Sequence, residues 1–123
     1  MSPDTPRKWE ATGRPLGNRD LADRLCTVSE ALSDARSAHV AKFDTFVPHA
    51  FMGDVLEHVG RCLGRGNSED LGPILDTLEQ GFARGDRETR SVIAISFAAD
   101  ARPQTFFWQL YPLLGARLRN TLQ

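Results

Sequence analysis

The sequence predicts an all-α protein: a single-domain bundle of about five to six antiparallel helices, stacked as helical hairpins in a HEAT-like manner. Three observations carry this reading. Apolar residues recur at helical spacing, as in Leu71, Ile74, Leu75, Leu78 and Phe82, which places them on one helix face. Cap and turn residues (Pro48, Gly64, Gly85-Asp86) punctuate these stripes at helix-length intervals. At 123 residues the chain has the size at which one hydrophobic core is the usual solution.

The elements follow in order. Residues 1–17 hold Pro3, Pro6, Pro15, Gly13 and Gly17, with only Trp9 and Leu16 as large apolar side chains. They read as an irregular N-terminal arm ahead of a helical domain over 18–123. Leu21, Leu25, Val28, Leu32 and Ala35 form a narrow first stripe with Asn18 or Asp20 as its cap. Val40, Phe43, Phe46 and Val47 continue the spacing after a break expected near Ser37-Ala38. Pro48 starts the next helix, because proline fits a first helical turn and disfavours helix in the residue before it. Phe51, Met52, Val55, Leu56, Val59, Cys62 and Leu63 give that helix a broad apolar face, which Gly64 ends; Asp54, Glu57 and Arg61 lie opposite.

Ser68 is the expected cap of the Leu71–Phe82 helix, and Gly85 its stop, at a position expected to need a positive φ. Asp86 caps the following segment, in which Val92 to Phe97 is apolar on nearly every side and therefore expected to be buried. Its β-branched residues would also suit a buried strand, but its place after a Gly-Asp turn assigns it to helix. An aromatic helix over Phe106 to Tyr111 is restarted by Pro112 into a last helix with Leu113, Leu114 and Leu118. Two successive pairs, 48–63 with 69–84 and 87–99 with 104–120, suggest the HEAT-like stack, although no internal repeat is visible.

Charge is uneven although the net is −1. Residues 1–43 carry seven Lys/Arg against six Asp/Glu, residues 44–88 four against nine, and residues 89–123 four against one. The acidic middle repels phosphate and attracts a basic partner. Only the last third is basic, so nucleic acid is not the expected partner. No apolar run approaches the ~18 residues of a membrane span, and no charged-then-apolar signal-peptide pattern is read at the N-terminus. A cytoplasmic protein without a membrane partner is expected, with Cys26 and Cys62 as small buried thiols and no disulfide.

Catalytic patterns are weak. No GxSxG elbow surrounds Ser68, Ser91 or Ser96, and Gly60 to Gly66 lacks the lysine and hydroxyl order of a phosphate loop. The acid pairs Asp54 with Glu57 and Glu69 with Asp70 fall on solvent faces or helix starts rather than in a cleft. A metal site needs at least three convergent ligands. His49, Asp54 and His58 cluster in sequence, but His49 and Asp54 lie on opposite sides of the apolar stripe, so no metal or cofactor is expected. A metal-dependent hydrolase on that trio is the weakest alternative. Phe106, Phe107 and Trp108 point in three directions; the commoner arrangement packs Trp108 against a neighbouring helix, and the other exposes it as a binding anchor.

Several stretches, taken in order, resemble small bacterial helical proteins of the polymorphic-toxin immunity type. They are Phe46 to Val55 (FVPHAFMGDV), Ile74 to Glu79 (ILDTLE), Gly85-Asp86, Val92 to Phe97 (VIAISF) and Leu113 to Leu118 (LLGARL). The resemblance covers roughly residues 43 to 120. It implies a non-enzymatic intracellular binder that neutralises a cognate toxin domain by covering its active site or blocking its movement. The near-zero net charge departs from the strongly acidic character of nuclease inhibitors. On this reading the partner-binding residues are the acids Asp54, Glu57, Glu69, Asp76 and Glu79, with Trp108 as aromatic anchor. A helical adaptor or regulatory module without a toxin partner is the alternative, and oligomeric state is left open.

Overall fold

The computed structural model describes residues 15–66 and 69–122. Residues 1–14 and Ser68 (the expected cap) lie outside them. The described residues are all-α, forming seven α-helices: α1 (Asn18–Val28), α2 (Glu30–Phe43), α3 (Pro48–Arg65), α4 (Leu71–Arg84), α5 (Arg87–Ile93), α6 (Phe107–Leu110) and α7 (Ala116–Thr121). A π-helical turn (Ala94–Ala99) prolongs α5, and a 3₁₀ turn (Tyr111–Leu113) prolongs α6.

Packing joins α1 to α2 and α4, and α3 to α2 and the π turn; α4 also rests on α5 and α7. One core results. The stripes of α3 (Phe51, Met52, Val55, Val59, Cys62) and α4 (Leu71, Ile74, Leu75, Leu78) meet Leu21 and Leu25 of α1 and Val92, Ile93 and Phe97 of the α5 segment. No helix among the described residues is long and apolar enough to cross a membrane.

Five local expectations are corrected. The first break falls at Ser29 and not near Ser37-Ala38. Ser29 adopts an extended conformation (φ −146°, ψ 115°) and its hydroxyl accepts the Leu32 N–H, capping an α2 that runs unbroken to Phe43. The first helix is capped neither by Asn18 nor by Asp20. Gly17 holds the N-cap position, and Asp20 accepts the Gly17 N–H at 3.0 Å. α3 passes Gly64 and stops at Gly66, whose φ of 71° is the left-handed value glycine adopts readily.

Gly85, by contrast, is extended (φ −74°, ψ 155°). It pairs with Leu16 in an isolated parallel bridge: Leu16 N donates to Arg84 O at 2.9 Å, and Asp86 N donates to Leu16 O at 2.8 Å. Glycine is needed there for close approach, since a Cβ would stand 2.4 Å from Gly81 O. Leu16 itself is only 1% exposed. Asp86 caps α5 as expected, accepting the Thr89 N–H at 2.7 Å.

The Val92–Phe97 segment is helical but not regular. In the π turn three consecutive residues, Ser96, Phe97 and Ala98, are buried, a wider arc than one α-helical stripe allows. Ile95 is swung outward and 54% exposed, against the expectation that the segment is buried throughout.

Candidate functional site

The densest set of chemically capable side chains lies where α3 ends and α4 begins. His58 and Cys62 are four residues apart on α3, hence on one face, and both are buried. Asp70 occupies the N-cap position of α4 but does not cap its own helix. Its Oδ2 instead accepts a hydrogen bond from Ser29 Oγ at 2.7 Å and lies 2.9 Å from His58 Nε2. Cys62 Sγ lies 3.5 Å from the same Nε2. One ligand atom from each of His58, Cys62 and Asp70 falls within 4.8 Å of the others.

Electrostatics follow from this packing. Burial pushes the Asp70 carboxyl up, but the hydrogen bonds from Ser29 and His58, with the His58 charge, outweigh it and hold Asp70 below its ordinary value. Burial raises the Cys62 thiol, and Asp70 adds to the rise against the weaker pull of Arg61 and Arg65. Cys26, half-buried and bonded through Sγ to Leu32 O at 3.6 Å, is also raised by burial, against Arg36. Both thiols are free. The cluster is not a nucleophilic relay. A Cys–His–Asp triad needs thiol and carboxylate on opposite ring nitrogens, whereas here both meet Nε2 and the thiol is held protonated.

The other histidines stand apart. His39 Nε2 accepts the Val47 N–H at 2.8 Å, within a cage of Phe43, Phe46 and Phe51. Its Nδ1 is buried without a hydrogen-bond partner, 3.9 Å from Asp54 Oδ2. His49 Nδ1 meets Ser96 Oγ at 2.6 Å, tying α3 to the π turn. His49, Asp54 and His58 therefore serve three different neighbourhoods.

The six residues expected at a partner interface separate into groups. On α3, Asp54 flanks His39, and Glu57 pairs with Arg61 at 3.7 Å on open surface. Glu69 is exposed just before α4, and Asp76 is exposed along it. Glu79 is turned inward and its side chain is 15% exposed. Its carboxylate accepts the N–H groups of Arg117 (2.9 Å) and Leu118 (3.2 Å), capping α7.

Trp108 is 77% exposed. Its ring is propped edge-on against Phe107 (5.0 Å between centroids) and Tyr111 (6.4 Å). Phe106, half-buried, presses on α3 at Gly60, where a Cβ would stand 2.5 Å from its ring. Gly60 lies one turn beyond Glu57 on α3. Two grooves flank the bundle. One of about 620 Å³ runs between α1 and α2, past Val40 and Phe46 and beside the Arg36–Asp23 ion pair. The other, about 330 Å³ and mainly apolar, lies between α4 and Leu113-Gly115.

Sequence reasoning passed over Cys62, Asp70 and Ser29 as a group. The His58-x-x-x-Cys62 spacing was a visible signal; the arrival of Asp70 and Ser29 beside it was not.

A family model described as a domain of unknown function, DUF7674, matches residues 22–121. The chain belongs to this family. The DUF7674 match spans Ser29, His58, Cys62, Asp70, Glu79 and Trp108, while Leu16 falls outside it. No curated protein and no solved structure matches the chain.

Proposed function

We propose that this protein is a cytoplasmic immunity protein, a rigid helical module that neutralises a cognate bacterial toxin domain by binding it. The observation that carries the reading is Trp108, a large aromatic side chain 77% exposed and propped on Phe107 and Tyr111. Exposed tryptophans that are held in place make strong binding anchors, because little side-chain freedom is lost on docking. The resemblance of residues 43 to 120 to polymorphic-toxin immunity proteins supplies the class of partner. Asp54 and Glu57 on α3 supply charge that steers a basic partner more than it sets the strength of the complex. Glu69 and Asp76 extend the acidic surface, whereas Glu79 contributes through the position of α7.

The test is co-expression of the full chain with the toxin domain encoded beside its gene. A complex that co-purifies and restores growth is expected. Trp108→Ala should weaken that complex by about 30-fold, equivalent to about 2 kcal/mol, while shifting the stability of the free protein by no more than about 0.5 kcal/mol. Asp54→Asn with Glu57→Gln should slow association and flatten its salt dependence. Failure of the two proteins to associate, or an unchanged affinity in Trp108→Ala, would refute the reading.

A further inference from the structure

We infer that His58, Cys62 and Asp70 form a binding site for a divalent transition-metal ion of the zinc class, with Ser29 orienting the carboxylate. The donor set is one imidazole nitrogen, one thiolate sulfur and one carboxylate oxygen, a mixture that suits zinc and cobalt and disfavours calcium and magnesium.

The geometry supports this directly. With ordinary zinc bond lengths, a tetrahedral ion holds its N and O ligands about 3.3 Å apart and its N and S ligands about 3.6 Å apart. His58 Nε2 lies 2.9 Å from Asp70 Oδ2 and 3.5 Å from Cys62 Sγ. All three donors sit within 4.8 Å of one another. The two distances to Nε2 need to change by only a few tenths of an ångström, while bringing Cys62 and Asp70 to the roughly 3.6 Å of a shared tetrahedral ion needs side-chain rotation of up to about 1 Å. Convergence of thiol and carboxylate on the same ring nitrogen leaves no path for a proton relay, but it is the pattern of ligands that share an ion.

The surroundings also fit. Ser29 Oγ donates to Asp70 Oδ2 at 2.7 Å, the kind of outer hydrogen bond that fixes a ligating carboxylate. The Asp70 side chain, 27% exposed, gives the cluster an opening to solvent. Three protein ligands then leave a fourth position for water. On binding, the Cys62 thiol proton leaves to solvent, and the neutral His58 ring carries its proton on Nδ1, freeing the Nε2 lone pair for the ion. The ion would join α3 to the start of α4 and, through Ser29, to the α1–α2 corner.

The experiment is a cobalt(II) titration of the chelator-stripped full chain, followed by displacement with zinc. Expected is one tightly held cobalt per chain, with a near-ultraviolet thiolate-to-cobalt band, tetrahedral visible bands, and loss of both on adding zinc. Cys26→Ser should keep the bands and Cys62→Ser should abolish them. Asp70→Asn should weaken binding, and Ser29→Ala should weaken it by about 10–100-fold. Zinc should raise the melting temperature of the native sequence. Absence of a thiolate–cobalt band in the unsubstituted protein would overturn the inference, whatever the variants do. So would a band that survives Cys62→Ser, or one that is lost in Cys26→Ser.

Discussion

The Glu79 carboxylate of α4 accepts the backbone N–H of Leu118 at 3.2 Å and that of its neighbour Arg117 at 2.9 Å, so the N-terminal turn of α7 is capped from a different helix. Gly115 leaves room for this, since a Cβ there would lie 2.4 Å from the Glu79 side chain. Two donors that the helix cannot satisfy itself are paired, and a negative charge meets the positive end of the helix. Glu79→Ala should cost about 1–2 kcal/mol, measured by urea denaturation. Glu79→Gln, which keeps an acceptor but loses the charge, should cost less.

Leu16 gives a sharper test of the N-terminal boundary. Its side chain is buried and its backbone exchanges two hydrogen bonds with the Arg84–Asp86 turn. Leu16→Ala should therefore destabilise the domain by about 2–5 kcal/mol, the range for truncating a buried leucine. A loss within about 0.5 kcal/mol, the usual range for surface positions, would show that this contact is not maintained in solution.

Asp70 makes stability depend on pH in a defined direction. Its carboxyl is held below the ordinary 3.8 in the folded state, so the folded protein favours the ionised form. Its contribution is complete above that ordinary value and is lost as pH falls through the lower folded value. Asp70→Asn should cost about 1.5–3 kcal/mol near neutral pH, as for hydrogen bonds to a charged acceptor. The gap between the two proteins should narrow as denaturation is followed below about pH 3.8. A gap independent of pH would mean that the charge on Asp70 contributes nothing.

Much of the fold was legible because its causes are local. The stripes of α3 and α4, the Pro48 start and the Asp86 cap each depend on residues within a turn or two. The break at Ser29 was hidden because Leu21 to Ala35 keep helical spacing across it. What singles out Ser29 is partly Asp70, which it meets only in the folded chain. Gly85 was recognised as a stop for the wrong reason, since it is extended, and what requires its small size is the close approach of Gly81 O and Thr89. At the candidate site the same division holds. His58 and Cys62 share a helix face and were within reach, but Asp70 reads locally as one of two acids at a helix start, and only tertiary packing turns its carboxylate backwards. Trp108 belonged to an aromatic run with three directions to choose from, and spacing alone favoured burial.

The pairing of Leu16 with Gly85 also orders events during synthesis. α1 packs on α4 as well as on α2, and the segment before it closes on the turn after α4, so neither of these contacts can form until most of the chain has left the ribosome. At ~5–20 residues per second that wait lasts seconds, during which Leu21 and Leu25 have no α4 to lie against. Closing so long a loop also slows the final docking step relative to the hairpin-range contacts of α2 with α3. α1 is thus made well ahead of the α4 surface that covers one side of it, and Leu21 and Leu25 are the apolar residues left waiting for that surface.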